Sequence, residues 1–208
     1  MIEVFGGPSL GDSRTPWWTR IELDDGDHRQ WAASFLRSLD RARAITAAMF
    51  ARSSRITAVL SWVKAGGAGF DPPFDQLRFM GFDLPDEAPD VVERHEEDGE
   101  VWWINRHYVV LDNDPDVLAP LMVAAHGGHL HDRLINLVVD LVDFDLGMGL
   151  EFYSHKGMTL ISTRAEPLAP IYQRYRDWVR DMELARCDEI FAPFLAEVRP
   201  GLSLVTPD

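Results

Sequence analysis

The fold class of this chain is decided by Met148-Gly149-Leu150-Glu151-Phe152-Tyr153-Ser154, His155-Lys156-Gly157 and Met158-Thr159-Leu160-Ile161-Ser162. In the first segment Met148, Leu150 and Phe152 alternate with Glu151 and Tyr153, and a period of two predicts a strand with an inner and an outer face. The short glycine-bearing loop that follows favours an antiparallel hairpin. Together with the segment Leu134 to Phe144, this stretch predicts a meander of three antiparallel strands.

The sequence on either side of the meander predicts helices and further strands. Apolar residues recur at spacings of three and four from Trp31 to about Ala51, which indicates a helix. We also expect strands at Ile56 to Trp62 and Val101 to Leu111, a helix that starts at Asp114-Pro115, and closing helices at Leu168 to Met182 and Ile190 to Leu195. The prediction is one α+β domain over residues 1–208, in which helices pack on an antiparallel sheet of about five strands as a single layer pair.

Residues 81–100 are predicted to form an acidic loop, because they contain Pro85 and Pro89 and show little apolar periodicity. Nine carboxylates and one arginine, Arg94, give this segment a balance of −8, whereas residues 29–55 have six arginines and one aspartate, a balance of +5. The charges either form a docking surface or only keep the protein soluble. The predicted partner-binding residues are Asp86, Glu87, Asp90, Glu93, Glu96, Glu97 and Asp98.

The composition of the chain indicates which classes of partner and which cellular compartment to expect. The net charge of −14 over 208 residues repels nucleic acid and anionic membrane surfaces and attracts cationic partners. A single cysteine, Cys187, cannot form an internal disulfide, and the start of the chain lacks the pattern of a secretion signal. The apolar run from Leu134 to Val142 is interrupted by Asp140 and falls far short of the roughly 20 residues that cross a bilayer. We therefore expect a soluble cytoplasmic protein.

The last third of the chain carries a pattern of aromatic residues that resembles a known family. Leu168, Pro170, Tyr172, Tyr175 and Trp178 fit a Leu-x-Pro-x-Tyr-x-x-Tyr-x-x-Trp helix, and Asp181, Asp188, Ile190 and Phe191 follow at matching spacings. From Leu150 to Phe191 the chain resembles the bacterial domain of unknown function 3885 family, and weaker similarity covers most of the sequence. The resemblance implies a fold but no mechanism. Ser154-His155-Lys156-Gly157 lacks both aspartates of the family's Asp-Asp-Arg-Gly turn, and Leu184 stands where the family usually has arginine.

The best candidate for chemistry is the segment His126-Gly127-Gly128-His129-Leu130-His131-Asp132. Three imidazoles and a carboxylate are ligand types of zinc and iron sites, which makes His126, His129, His131 and Asp132 candidate metal ligands. A solvated loop after a helix accounts for the same residues, and no second shell of supporting groups is identifiable. Arg106-His107 is a weaker candidate for acid–base chemistry, and Cys187 is expected to be an ordinary helix residue.

Two classes of function are compatible with these features. The first is a non-catalytic protein-binding module without a cofactor, such as an immunity protein that blocks a basic toxin or effector. The alternative is a metal-assisted hydrolase that uses zinc at the His126, His129 and His131 segment. The sequence favours binding over catalysis, because the uneven charge distribution is a definite feature of the sequence whereas the set of metal ligands is incomplete.

Overall fold

The protein is built on one open antiparallel sheet of seven strands, in a computed structural model that describes residues 2–5, 10, 14–24, 31–65, 77–78, 81–82, 90–97, 100–127, 137–154 and 156–195. The strands are β1 (Trp17–Glu22), β2 (Arg55–Ala65), β3 (Val91–Glu97), β4 (Glu100–Asp112), β5 (Val138–Asp143), β6 (Met148–Ser154) and β7 (Gly157–Ser162). Their order across the sheet is β1-β7-β6-β5-β2-β4-β3. The α+β class and the β5–β6–β7 meander are confirmed, and the sheet has seven strands where about five were predicted.

Four helices of the described part of the chain pack on one face of the sheet, which we call the helix face. They are α1 (Trp31–Met49), α2 (Pro115–Gly127), α3 (Ala165–Arg174) and α4 (Asp181–Leu195), and a single helical turn, Ile2–Phe5, precedes them. Leu60, Leu141 and Leu150 of the sheet join one buried cluster with Ile45 of α1 and Leu168 of α3. No helix in the described part of the chain is long and apolar enough to span a membrane.

The start of α2 shows how local sequence determines an element. Asp114 Oδ1 accepts a hydrogen bond from the backbone N–H of Asp116 at 2.8 Å, and Pro115 occupies the first helical position. An aspartate before a helix satisfies one of the N–H groups that have no intrahelical acceptor, and proline there loses no hydrogen bond. The predicted start of this helix is therefore confirmed, down to the capping residue.

The opposite side of the sheet, which we call the N-terminal face, is covered near its centre by the beginning of the chain. Phe5 and Leu10 pack there against Val59, Val142 and Ile161, and all five side chains are buried. Gly149 of β6 lies directly under Leu10, since a Cβ atom at this position would approach Leu10 Cδ1 to 2.8 Å. The central strands are thus buried on both faces, which explains why every residue of β7 is buried.

The prediction of a loop over residues 81–100 is wrong for residues 91–97, which form β3. This strand pairs in register with β4, with Val91 opposite Arg106 and Glu93 opposite Ile104. The carboxylate of Glu93 lies 2.7 Å from Arg106 Nη1, so part of the acidic charge is neutralised by the neighbouring strand. A strand rich in carboxylates is stable here because Arg106 of β4 supplies the opposite charge for Glu93.

The first closing helix is also shorter than predicted. Instead of continuing to Met182, α3 ends at Arg174, and a 3₁₀ turn, Arg176–Trp178, separates it from α4. Val179 forms an isolated antiparallel bridge with Ile21, and the Arg180 N–H donates to the carbonyl of Arg20 at 3.1 Å. The chain leaves the helix here because its backbone groups bond to β1.

Candidate functional site

The described part of the acidic surface predicted for partner binding lies on β3 and directly before it, at one edge of the sheet. Of its seven residues, the structure describes Asp90, Glu93 and Glu96 with their side chains and Glu97 by its backbone position alone. The other three, Asp86, Glu87 and Asp98, lie outside the described residues. Asp90 and Glu96 keep 46% and 52% of their side-chain surface exposed, so both carboxylates are accessible to a partner.

Each of the three described carboxylates also has a polar contact within the protein. Asp90 Oδ2 accepts a hydrogen bond from the Tyr108 N–H at 2.7 Å and lies 2.9 Å from Nδ1 of the buried His107. Glu93 contacts the buried Arg106, and Glu96 accepts a hydrogen bond from the exposed Arg94 at 2.6 Å. The contacts of Asp90 and Glu93 fasten this segment to β4 on both faces of the sheet, whereas the contact between Arg94 and Glu96 lies within β3. Arg106 and His107, predicted as weak candidates for acid–base chemistry, therefore have carboxylate partners at Glu93 in β3 and at Asp90 just before it, which supports a structural role.

The outer edge of β3 presents unpaired backbone groups. The hydrogen bond from Tyr108 shows that its backbone N–H points toward β3, and successive residues of a strand alternate in direction. The backbone N–H and C=O groups of Arg106 therefore also point toward β3, and those of its partner Val91 point back toward β4. It follows that the N–H and C=O groups of Val92, Arg94 and Glu96 point away from the sheet, and no described strand pairs with them.

The other edge of the sheet is closed. Along β1, Ile21 bridges to Val179, and the carbonyl of Arg20 accepts the hydrogen bond from Arg180. The Trp17 ring packs edge-to-face against Phe194 of α4, with the ring centroids 5.6 Å apart. An edge covered in this way cannot accept another strand, so among the strands that the structure describes β3 is the one whose edge is open to a partner.

A row of polar residues across the N-terminal face was not predicted as a site. Strand register places Tyr108, Asp140 and Glu151 in one transverse row, with Val59 between the first two. Asp140 is 2% exposed, and burial raises the pKa of its carboxyl well above the usual range. The Glu151 carboxylate raises this pKa further, whereas Arg106 and the backbone N–H of Leu10 lower it.

A carboxyl group with a raised pKa beside a second carboxylate is a common arrangement in acid–base catalysis. Here Leu10, which is 1% exposed, donates its N–H to Asp140, and the carboxyl group itself is 2% exposed, so a substrate cannot reach it in this conformation. The only sequence signal was an aspartate within the apolar run from Leu134 to Val142. That signal indicated an interrupted hydrophobic segment and not a buried acid.

Of the four predicted metal ligands, the structure describes only His126. His126 is fully buried, its Nδ1 lies 2.9 Å from the carbonyl oxygen of Met122, and its ring packs edge-to-face against Phe35 and Phe152. His129, His131 and Asp132 lie outside the described residues. Among the side chains that are described, no three His, Cys, Asp or Glu residues are grouped as metal ligands, and the zinc site stays a prediction.

Cys187 lies in the helix α4 and is fully buried. Its Sγ atom is 3.4 Å from Thr19 Oγ1 on β1, and burial raises the pKa of the thiol. A reactive cysteine requires the opposite shift and access to solvent. The thiol therefore packs the helix against the sheet, in agreement with the expected role as an ordinary helix residue.

The similarity to a protein family extends over most of the chain. No curated protein and no solved structure matches this sequence. A family model does match, and it covers both the helix-packed sheet and the aromatic helix α3. Because the match extends over residues 13–183, the chain belongs to the family described as domain of unknown function (DUF3885).

Proposed function

We propose that this protein is a cytoplasmic, non-catalytic binding module that accepts an extended basic segment of another protein along the open edge of β3. The partner class that we favour is a basic toxin or effector, which the module would block in the manner of an immunity protein. The observation that carries this proposal is the open edge of β3, where the outward backbone groups of Val92, Arg94 and Glu96 are flanked by exposed carboxylates.

Main-chain hydrogen bonds would supply the first part of the affinity. A peptide that adds to a sheet edge pairs with the outward N–H and C=O groups, whatever its own sequence. Three residues point outward along β3 and offer three donors and three acceptors. The seven-stranded sheet behind them is a rigid template, because its central strands are buried on both faces.

Charge and apolar contacts would supply specificity. The net charge of −14 and the exposed carboxylates of Asp90 and Glu96 attract a cationic segment and raise its association rate. On the helix face of the same hairpin, Val92 is 52% exposed and Trp103 of β4 is 36% exposed. Large apolar side chains beside an acidic edge are suitable anchors for a partner, since aromatic residues dominate the energetics of interfaces.

Charged edge strands also occur as protection against aggregation, and this is the competing explanation. A protective edge needs only charge, whereas this edge combines charge with exposed Val92 and Trp103. Protection alone also predicts no partner. The two explanations therefore differ in whether a defined protein binds at β3.

The experiment is an affinity capture with the purified protein as bait, from native cells and from cells that express the neighbouring gene. We expect one basic protein at a 1:1 ratio, released by salt. The variant Val92→Pro removes an outward N–H without breaking a bond to β4, so it should abolish capture. Val92→Ala keeps the N–H group and loses only part of one apolar contact, so it should still capture the partner, with a modest loss of affinity.

A charge-reversal pair tests the electrostatic part of the proposal. Glu96→Lys at the edge should weaken capture strongly, while Glu189→Lys on the exposed surface of α4 makes the same change in net charge and should have little effect. Val92→Pro must first show the same melting temperature as Val92→Ala. Capture of the same partner by Val92→Pro, or no stoichiometric basic partner in any lysate, would contradict the proposal.

A further inference from the structure

A cleft of about 730 Å³ opens between the end of α1 and the helix α3. One wall is a single face of α3, because Pro167, Pro170, Ile171 and Arg174 recur at spacings of three and four. The opposite wall contains Met49 and Arg52, and the β5–β6 hairpin contributes Leu146 and Met148. Small-molecule sites in proteins enclose about 300–1,000 Å³, so the cleft has the size of such a site.

The charge around the cleft is opposite to that of the protein. Arg52, Arg164 and Arg174 line it together with one carboxylate, Glu166, which is a local balance of +2 in a chain with a net charge of −14. All three arginines are exposed, and none takes part in the ion pairs between described residues. Three cations, one just after α1 and two at the ends of α3, thus line one cavity, and no carboxylate among the described residues forms an ion pair with them.

The interior of the cleft is apolar and rigid. Met49, Met148 and Ile171 lie at its base with at most 7% of their surface exposed. Pro167 and Pro170 fix the backbone φ angle at two positions of the α3 wall. A cavity with a fixed shape loses little conformational entropy when a ligand enters, which favours binding.

We infer that this cleft binds a small amphipathic anion, an apolar chain or ring that carries a carboxylate or phosphate group. The apolar part lies against the methionines and Ile171, and the anionic group contacts the guanidinium groups at the rim. Arginine suits this role because its planar fork binds carboxylate and phosphate through two parallel hydrogen bonds. This inference uses no residue of β3 and is independent of the proposed protein partner.

The test uses decanoate and decyl phosphate as probes, decanol as the uncharged analogue and acetate as the isolated head group. Titration calorimetry should show 1:1 binding of at least one of the two amphipathic anions and much weaker binding of decanol and acetate. With ¹³C-methyl-labelled methionine, the signals of Met49 and Met148 should shift. The signal of Met182, which is 76% exposed on α4 outside the cleft, should not shift.

Two matched pairs of variants locate the site. The triple variant Arg52→Gln, Arg164→Gln, Arg174→Gln should weaken binding by about tenfold or more. A control triple at exposed arginines outside the cleft, Arg14→Gln, Arg43→Gln, Arg94→Gln, makes the same change in net charge and should bind normally.

The second pair tests whether filling the cavity, without a change of charge, blocks binding. Ala51→Trp places a large side chain in the cleft and should block binding, whereas Ala47→Trp lies on the exposed side of α1 and should not. The inference is overturned if neither anion binds the unmodified protein, if decanol binds as tightly as the anions, or if the two triple variants weaken binding equally. Circular dichroism of every variant separates loss of binding from loss of fold.

Discussion

The hydroxyl of Tyr172 donates a hydrogen bond of 2.5 Å to Oδ1 of Asp188 and thereby joins α3 to α4. Arg176 completes the contact by binding both carboxylate oxygens, through Nε at 2.8 Å and Nη2 at 2.5 Å. The Tyr172 ring also stacks on Phe191, with centroids 4.9 Å apart. Residues that carry the family resemblance therefore hold the two closing helices together, and their pattern reports packing and not a ligand site.

The first prediction concerns the stability of this contact. Tyr172 is fully buried, so Tyr172→Phe removes its hydrogen bond without opening a cavity and should lower the free energy of unfolding by about 1 kcal/mol. Urea denaturation followed by tryptophan fluorescence measures the change. Asp188→Asn should also destabilise the protein, whereas Glu189→Gln on the neighbouring exposed position should have almost no effect. Equal stabilities of the Asp188 and Glu189 variants would contradict the structural role.

The same contact should give a defined pH dependence. Hydrogen bonds from Arg176 and then from Tyr172 lower the pKa of Asp188 to about 2, compared with about 3.9 for an aspartate in an unfolded chain. A lowered pKa in the folded state means that the stabilisation is complete above about pH 4 and is lost as the pH falls toward 2. The stability difference between the native protein and Asp188→Asn should therefore shrink over this interval.

A second prediction concerns the buried carboxyl group of Asp140, whose pKa is shifted in the opposite direction. Burial raises this pKa, so the folded protein retains a proton that the unfolded chain releases above about pH 4. The contribution to stability is complete below that pH and decreases as the pH rises, by at most about 1.4 kcal/mol per pH unit. Asp140→Asn stays neutral and should become more stable than the native protein as the pH increases to 8.

The control for this prediction is Asp40→Asn, which removes an exposed carboxylate from α1. Its stability should follow that of the native protein between pH 4 and 8. Thermal melts of the three proteins across this range measure the effect. If Asp140→Asn is the less stable protein at pH 8, the carboxylate must be better solvated in the folded state than its burial implies.

The sequence predicted those elements whose signals are local. Asp114 and Pro115 indicated the start of α2 correctly, because a helix cap involves only neighbouring residues. The strand β3 was missed because its stability depends on β4: Glu93 is compatible with a strand only when Arg106 lies beside it. The end of α3 was missed for the same reason, since it depends on the bridge between Val179 and Ile21.

The candidate sites were harder to predict than the fold. The concentration of acidic charge could be read from the sequence, because its carboxylates lie close together in the chain, while its role in partner binding stays a prediction. Asp140 could not, because its environment depends on Leu10, 130 positions earlier in the chain. The cleft combines Arg52 with Arg164 and Arg174, which lie at the two ends of α3 and more than 100 positions further along the chain, so they come together only in the folded protein. Properties that arise from long-range contacts leave no periodic signal in one sequence.

A third prediction concerns the turn between β5 and β6. Gly147 has a φ angle of +64°, and a Cβ atom at this position would overlap Thr163. Gly81 has a φ angle of +86°, but no described atom lies within 4 Å of its Cβ position. Gly81→Ala should therefore lower the free energy of unfolding by about 1–2 kcal/mol, the cost of a left-handed backbone conformation for alanine. Gly147→Ala should lower it more, because the new Cβ atom also overlaps Thr163. Chemical denaturation of the pair measures the difference, and equal costs would show that Thr163 moves aside freely.

The last prediction concerns the accessibility of Cys187, whose thiol is fully buried between α4 and β1. Reaction with a disulfide reagent requires both exposure and deprotonation, and burial opposes both because it also raises the thiol pKa. Labelling of the native protein should be more than about a hundredfold slower than labelling in urea, as expected if α4 must open at a cost of about 3 kcal/mol. A matched reference is the double variant Cys187→Ser, Met182→Cys, which moves the only thiol to a site that is 76% exposed on the same helix. That thiol should react at the rate of the unfolded chain. If the two native proteins react equally fast, α4 does not stay packed on the sheet in solution.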